Sequence, residues 1–320
     1  MMIDKNAKNI SYPSQLAILL GLTAGGLIVS AIIGTMIWLM MVGGTPPSKL
    51  EGMLHPKYYN VNMVLQGVST FFIFFVPAYL FAIICYTKPY RFLGFNLRIN
   101  YKQFLLVVGI LMLTFPISGA LAEINKILPI PQNWEIKFKA METSREALEE
   151  ALININSLPK YIISLFIIAL LPAIFEEVFF RAAMQNFFTR WFKGPWPAII
   201  ITSIIFSLIH LSFYGFIVRF GLGVILGFIF YYSGNLWLPI LFHFLFNGIQ
   251  LTALYFMNLS GKKQIKDIET NFPLWAGAIS LVILIYLFKL YKQASILEQA
   301  KYVEEETPED DFHNWATNQP

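Results

Sequence analysis

The run Tyr161–Ile174 followed by Phe175-Glu176-Glu177-Val178-Phe179-Phe180-Arg181 decides how this chain is read. Fourteen residues without a charge precede two adjacent carboxylates and an arginine. The run reads as a membrane-spanning helix, where a charged side chain near the centre costs roughly 2.5–3.5 kcal/mol on insertion scales. Three charges could therefore cost on the order of 8 kcal/mol before any pairing. Glu177 and Arg181 stand four apart, so one helical face can pair them. Glu176 lies about 100° round the helix and has no local partner. It needs one from elsewhere in the chain.

Composition points the same way. Of 320 residues 57% are apolar and only 13% charged, against about 25% charged in soluble domains. Several apolar runs reach the ~20 residues that a bilayer-spanning helix needs. The fold class is all-α, a polytopic membrane protein with a bundle of about eight transmembrane helices. The expected spans are 16–42, 62–86, 103–122, 160–189, 196–213, 215–233, 236–257 and 272–291. Residues 1–158 read as N-terminal transmembrane helices with an extramembrane amphipathic loop, 159–257 as a catalytic core, and 258–320 as a last span with an acidic tail. From Glu298 that tail is expected to be a solvated or disordered extension. The polar start, Met1 to Ser14, is unlike a cleavable signal.

The net charge of +4 is spread among loops, which gives no case for nucleic acid. Membrane lipid is the expected partner. Cys85, the only cysteine, rules out an intrachain disulfide and reads as a packed side chain. Lys88, Arg91, Arg98 and Lys102 place the loop after the second span in the cytoplasm. Alternation then puts both termini inside, although Lys262, Lys263 and Lys266 would fall outside. Gly26, Ser30 and Gly34, and again Gly223 and Gly227, read as small-residue packing seams. Within the polar segment 130–158, Ser144 to Leu152 predicts a short amphipathic helix capped by Thr143 or Ser144.

Two of the four histidines lie inside apolar spans: His210 closes Phe206-Ser207-Leu208-Ile209-His210, and His243 opens His243-Phe244-Leu245-Phe246-Asn247. His243 and Asn247 share a helix face. Glu176, His210, His243 and Asn247 satisfy one another only by converging inside the bundle, and intramembrane ionisable groups are candidate functional sites. Pro172 and Pro239, each four residues before a polar residue, can bend their helices, though Pro239 fits a first turn equally well. Glu with His can activate water, and His with Asn can stabilise an oxyanion. No His-Glu-x-x-His, Gly-x-Ser-x-Gly or Gly-x-Gly-Asp is present. Zinc on Glu176, His210 and His243 is chemically possible.

Together, Glu176-Glu177-x-x-x-Arg181, Phe206-x-x-x-His210 and His243-x-x-x-Asn247 resemble the three motifs of the CPBP family, also called Abi or CAAX-protease-like. The resemblance covers about residues 160–250. It implies a glutamate-dependent, metal-independent intramembrane endopeptidase (a glutamic peptidase) without a cofactor, in a prokaryotic cell membrane. Its narrower form is CAAX-type processing of lipidated, membrane-associated peptide or protein substrates. Carried over, Glu176 activates water with help from His210, His243 and Asn247 stabilise the oxyanion, and Glu177 and Arg181 support the helix. The alternatives are a non-catalytic scaffold or immunity-type protein, a proton-linked transporter, and a zinc-dependent membrane peptidase.

Overall fold

A computed structural model of the chain describes residues 8–47, 50–53, 55–95, 99–152, 155–260 and 272–305. Among these the chain runs through α1 (Tyr12–Val42), α2 (Pro56–Cys85), α3 (Tyr101–Lys126), α4 (Gln132–Leu152), α5 (Leu158–Phe192), α6 (Pro195–Leu208), α7 (Phe216–Ser233), α8 (Trp237–Leu259) and α9 (Leu274–Glu305). Short helical turns at Leu50–Met53 and Pro89–Phe92 complete them. Seven of the described helices are long and apolar enough to cross a membrane: α1, α2, α3, α5, α7, α8 and α9. The protein is an all-α polytopic membrane bundle.

Local chemistry sets the boundaries. Ser11 caps α1 by accepting from the Ser14 amide, and Gly43 closes it with φ 78°, a left-handed conformation that glycine adopts without penalty. Asn100 and Gln103 form a capping box at the start of α3, and Gly234 ends α7 at φ 62°. Two π-helical stretches, Phe71–Phe75 and Leu165–Leu170, lie just before Pro77 and Pro172. Proline has no N–H and its ring crowds the carbonyl four residues back, so the preceding turn widens to i→i+5 bonding. The amides of Val76 and Leu171 accordingly reach Phe71 and Phe166. Pro239 instead sits in the first turn of α8, where it disturbs nothing.

Three expectations need correction. The fifth span is a 14-residue helix, α6, about 21 Å long against the ~30 Å of bilayer hydrocarbon. It stops because the chain turns at Ile209–Gly215, with Leu211 at φ 50°. The amphipathic helix α4 begins at Gln132, well before Thr143 and Ser144. Those hydroxyls are not caps; they turn back to the carbonyls of Lys139 and Ala140, as mid-helix Ser and Thr do. Finally, α9 continues through Glu298 to Glu305. The rest of the acidic tail, like the Lys262, Lys263 and Lys266 loop and Arg98, lies outside the described residues.

Hydrogen bonds sort the connections into two ends of the bundle. At one end Lys8 N–H donates to Cys85 O, Leu236 N–H to Gly94 O, Asn186 to Phe92 O, and Asn100 to Glu298. At the other, Asn125 donates to Phe213 O, Tyr161 Oη pairs with Thr252 Oγ1, and Asn258 donates to Ile155 O. Each helix from α5 to α8 thus runs from one end to the other, the short α6 included.

Helix α5 is the axis. Every residue from Glu176 to Thr189 is buried, with α1 and α2 packed on one side and α6 and α7 on another. Glycines permit the closeness. A Cβ on Gly26 would lie 2.2 Å from Phe72 O, one on Gly223 2.9 Å from Ser203 Cβ, and one on Gly227 2.9 Å from Gln185 Oε1. Both small-residue seams are contacts between helices.

Candidate active site

The site grows from the first buried turn of α5. Arg181 Nη1 donates to Glu177 Oε1 at 2.9 Å, with the two side chains 1% and 0% exposed. This is the i, i+4 pair that the spacing predicts. It has a third member. His243 Nδ1, arriving on α8, stands 2.8 Å from the same oxygen. Arg181 also reaches Gly223 O on α7 at 3.5 Å.

Phe206, the first residue of the second motif, ties the three motif helices together. Its ring lies 4.8 Å beneath the Arg181 guanidinium, 4.9 Å from the His210 ring and 6.2 Å from the His243 ring. A guanidinium over an aromatic face in a dry site is held by the ring quadrupole. Arg181, Glu177, His210 and His243 therefore surround one side chain. A π-helical stretch, Val178–Gln185, begins immediately after Glu177. It has no proline to explain it, and π turns inside α-helices frequently mark functional sites.

Hydrogen-bond chemistry fixes what each ring nitrogen does. His210 Nδ1 is 2.7 Å from Phe206 O. A carbonyl only accepts, so Nδ1 carries the proton, and in the neutral ring Nε2 is left with its lone pair. His210 can therefore take a proton. His243 differs: its Nδ1 faces the Glu177 oxygen that already accepts from Arg181, so Nδ1 donates.

The remaining polar atoms lack such partners. Glu176 is 8% exposed and makes no hydrogen bond among the described residues, although His243 and Arg181 are close enough to act on it electrostatically. Glu177 Oε2 is buried and unpartnered. Asn247, one turn beyond His243, is half-buried and makes no hydrogen bond. Buried polar atoms left unsatisfied cost about 1–3 kcal/mol each, which is why they call for an explanation. Of the motif residues, Glu177 contributes one such atom, Oε2.

The geometry does not give Glu176 a direct bond to His210, His243 or Asn247. It gives Glu177 to His243 and leaves the others open. Among the described residues no three His, Cys, Asp or Glu side chains gather as a metal would need. Sequence reasoning missed two neighbours of His210: Arg219 on α7 and Arg145 on α4 both act on its ring electrostatically. Neither falls in a motif, and no spacing along the chain links them to His210.

Residues 158–249 match the family of type II CAAX prenyl endopeptidases described as Rce1-like. That segment runs from the first turn of α5 to two residues past Asn247. No curated protein and no solved structure matches the chain.

Proposed function

We propose that this chain, whose residues 158–249 match the Rce1-like type II CAAX prenyl endopeptidases, hydrolyses peptide bonds within the membrane with a water activated by Glu176 and His210. The observation that carries the reading is the asymmetry of two adjacent carboxylates. Glu177 is occupied by Arg181 and His243, whereas Glu176 is buried with nothing from the protein bonded to it. A general base needs that freedom, because its lone pair must be available to water.

The steps follow from the residues. Water bound between Glu176 and His210 Nε2 loses a proton to the base as its oxygen attacks the substrate carbonyl carbon. Negative charge develops on the carbonyl oxygen, where the Asn247 amide and His243 Nε2 donate hydrogen bonds. Because His243 Nδ1–H is given to Glu177, Nε2 donates only from a doubly protonated ring. Glu177 then serves as its counter-charge, shared with Arg181. The captured proton passes to the leaving nitrogen, the C–N bond breaks, and acid and amine products depart.

We extend the proposal to CAAX-type processing of lipidated, membrane-associated protein substrates, supported by the family alone. Both termini are proposed to be cytoplasmic in a prokaryotic membrane. Lys88, Arg91 and Lys102 support this, since they share an end of the bundle with the N-terminal segment.

The test is cleavage of prenylated and unprenylated peptides by purified protein in lipid discs. Glu176→Gln should abolish cleavage, by about 10³-fold or more if water activation is lost, and leave folding intact. Chelator should change nothing. Activity surviving Glu176→Gln sinks the glutamate mechanism. Activity lost on chelation and restored by zinc favours a metallopeptidase.

A further inference from the structure

His210 stands on a turn that its own hydrogen bonds, such as Ser207 Oγ to Phe216 O at 2.7 Å, close only in part. After α6 ends at Leu208, the backbone passes through Leu211 at φ 50°, a left-handed conformation that is unfavourable for an L side chain. Leu211 is 64% exposed, so no packing of that side chain offsets the strain. Residues before the family segment hold it as well. Asn125, at the end of α3, brackets it by donating to Phe213 O and accepting from Ile217 N–H, both at 3.0 Å. The Phe213 ring stacks on Phe138 of α4 at 4.6 Å and 9°.

The third hold is the most directed. Ser212 Oγ donates to Glu142 Oε2 of α4 at 2.7 Å and accepts from the Gly215 amide at 3.0 Å. The other Glu142 oxygen receives Arg145 Nε at 3.1 Å and Nη2 at 2.5 Å. Arg145 therefore fixes the carboxylate on its own helix, and the carboxylate fixes the turn through a charge-assisted hydrogen bond, among the stronger kinds. Glu142 is 14% exposed, so water competes little for it.

We propose that Glu142 of the extramembrane helix α4 is a positioning residue for His210, acting through Ser212. The inference rests on the peptidase reading for its catalytic consequence, but the mechanical part stands separately. Phe206 O fixes the rotation of the His210 ring from α6. The Glu142–Ser212 bond fixes the backbone two residues further on. Together they set where Nε2 stands relative to Glu176.

The experiment uses full-length protein in lipid discs with three readouts: peptide cleavage, amide hydrogen exchange over 209–215, and the rate of His210 carbethoxylation by diethyl pyrocarbonate, read by mass spectrometry. Glu142→Ala should lower kcat about tenfold, change KM less than about twofold, and speed exchange of the turn about tenfold, the scale of one lost charge-assisted hydrogen bond. Carbethoxylation of His210 should also quicken. Glu142→Gln keeps one oxygen for the Ser212 hydroxyl but loses the charge and the second acceptor that hold Arg145, so it should fall between wild type and Glu142→Ala in every readout. Ser212→Ala should reproduce Glu142→Ala, and the double variant should be little worse than either single, as expected for two ends of one interaction. A merely structural role would lower thermal stability without a fall in kcat per folded molecule, and that result overturns the proposal. So does unchanged exchange and unchanged His210 reactivity in Glu142→Ala. If wild type cleaves no peptide, the peptidase reading fails, while exchange and carbethoxylation still decide whether Glu142 holds His210.

Discussion

Removing Arg181 alone should unfold this protein more readily than any other single change at the site. The guanidinium is 1% exposed and 2.9 Å from Glu177 Oε1. At an effective dielectric of about 20, unit charges at that separation attract by about 6 kcal/mol. The Phe206 ring at 4.8 Å adds about 2 kcal/mol in a desolvated setting. Desolvation of the two ions, several kcal/mol each, offsets most of this, so the pair as a whole contributes little net stability. Its halves behave differently. Arg181→Met leaves the Glu177 carboxylate buried with one unpartnered oxygen and only His243 on the other, a defect of about 3–5 kcal/mol. Adding Glu177→Gln removes the orphaned charge and should return stability to within about 1 kcal/mol of wild type. That double variant should nonetheless be inactive, because its neutral amide cannot balance a doubly protonated His243. Unfolding in mixed dodecyl sulfate micelles, followed by near-ultraviolet circular dichroism, measures the stabilities, and peptide cleavage measures the rest. Wild-type stability in Arg181→Met, or no recovery in the double variant, refutes the reasoning.

Asn247→Ala should leave stability within about 0.5 kcal/mol of wild type, since the side chain makes no hydrogen bond, yet lower kcat about 10²–10³-fold as one oxyanion donor is lost; equal losses in both would mark Asn247 as structural. Gly223→Ala places a Cβ 2.9 Å from Ser203 Cβ and should cost about 1–3 kcal/mol by overpacking. The same change pushes α7 away from Arg181, so activity should fall with it in the cleavage assay.

How much of this was legible beforehand varies with the distance between partners. The apolar run into Glu176 announced a span, and Glu177 with Arg181 is a local pair that helix geometry alone predicts. The spacing of Gly26, Ser30 and Gly34 was readable because close helix packing demands small side chains at that interval. His243 as the partner of Glu177 was not readable, because the two are 66 residues apart and only the packing of α8 on α5 joins them. The start of α4 was hidden for another reason. Its first turns are polar and held by the Glu135–Lys139 pair, so no apolar period marks where the helix begins. The end of α6 was hidden because Leu211 turns the chain where no Gly or Pro precedes Gly215.

These limits bear on which carboxylate does the chemistry. From the sequence, Glu177 looked occupied by Arg181 alone, which made it a helper of the helix and left His243 free to join Glu176. The structure enlarges its part. One Glu177 oxygen serves a cation on its own helix and an imidazole from α8, so the residue couples the axis of the bundle to α8. Glu176 is then defined by contrast: one oxygen of the neighbouring carboxylate takes both Arg181 and His243, whereas neither Glu176 oxygen is held by a side chain among the described residues. The two roles separate in variants. Glu176→Gln should abolish turnover with the Arg181–Glu177–His243 cluster and stability intact. Glu177→Gln should disturb both, because it leaves Arg181 buried without a counter-charge. If Glu177→Gln proves inert in stability and in turnover while Glu176→Gln is not, the coupling of His243 through Glu177 is wrong, even though Glu176 remains the base.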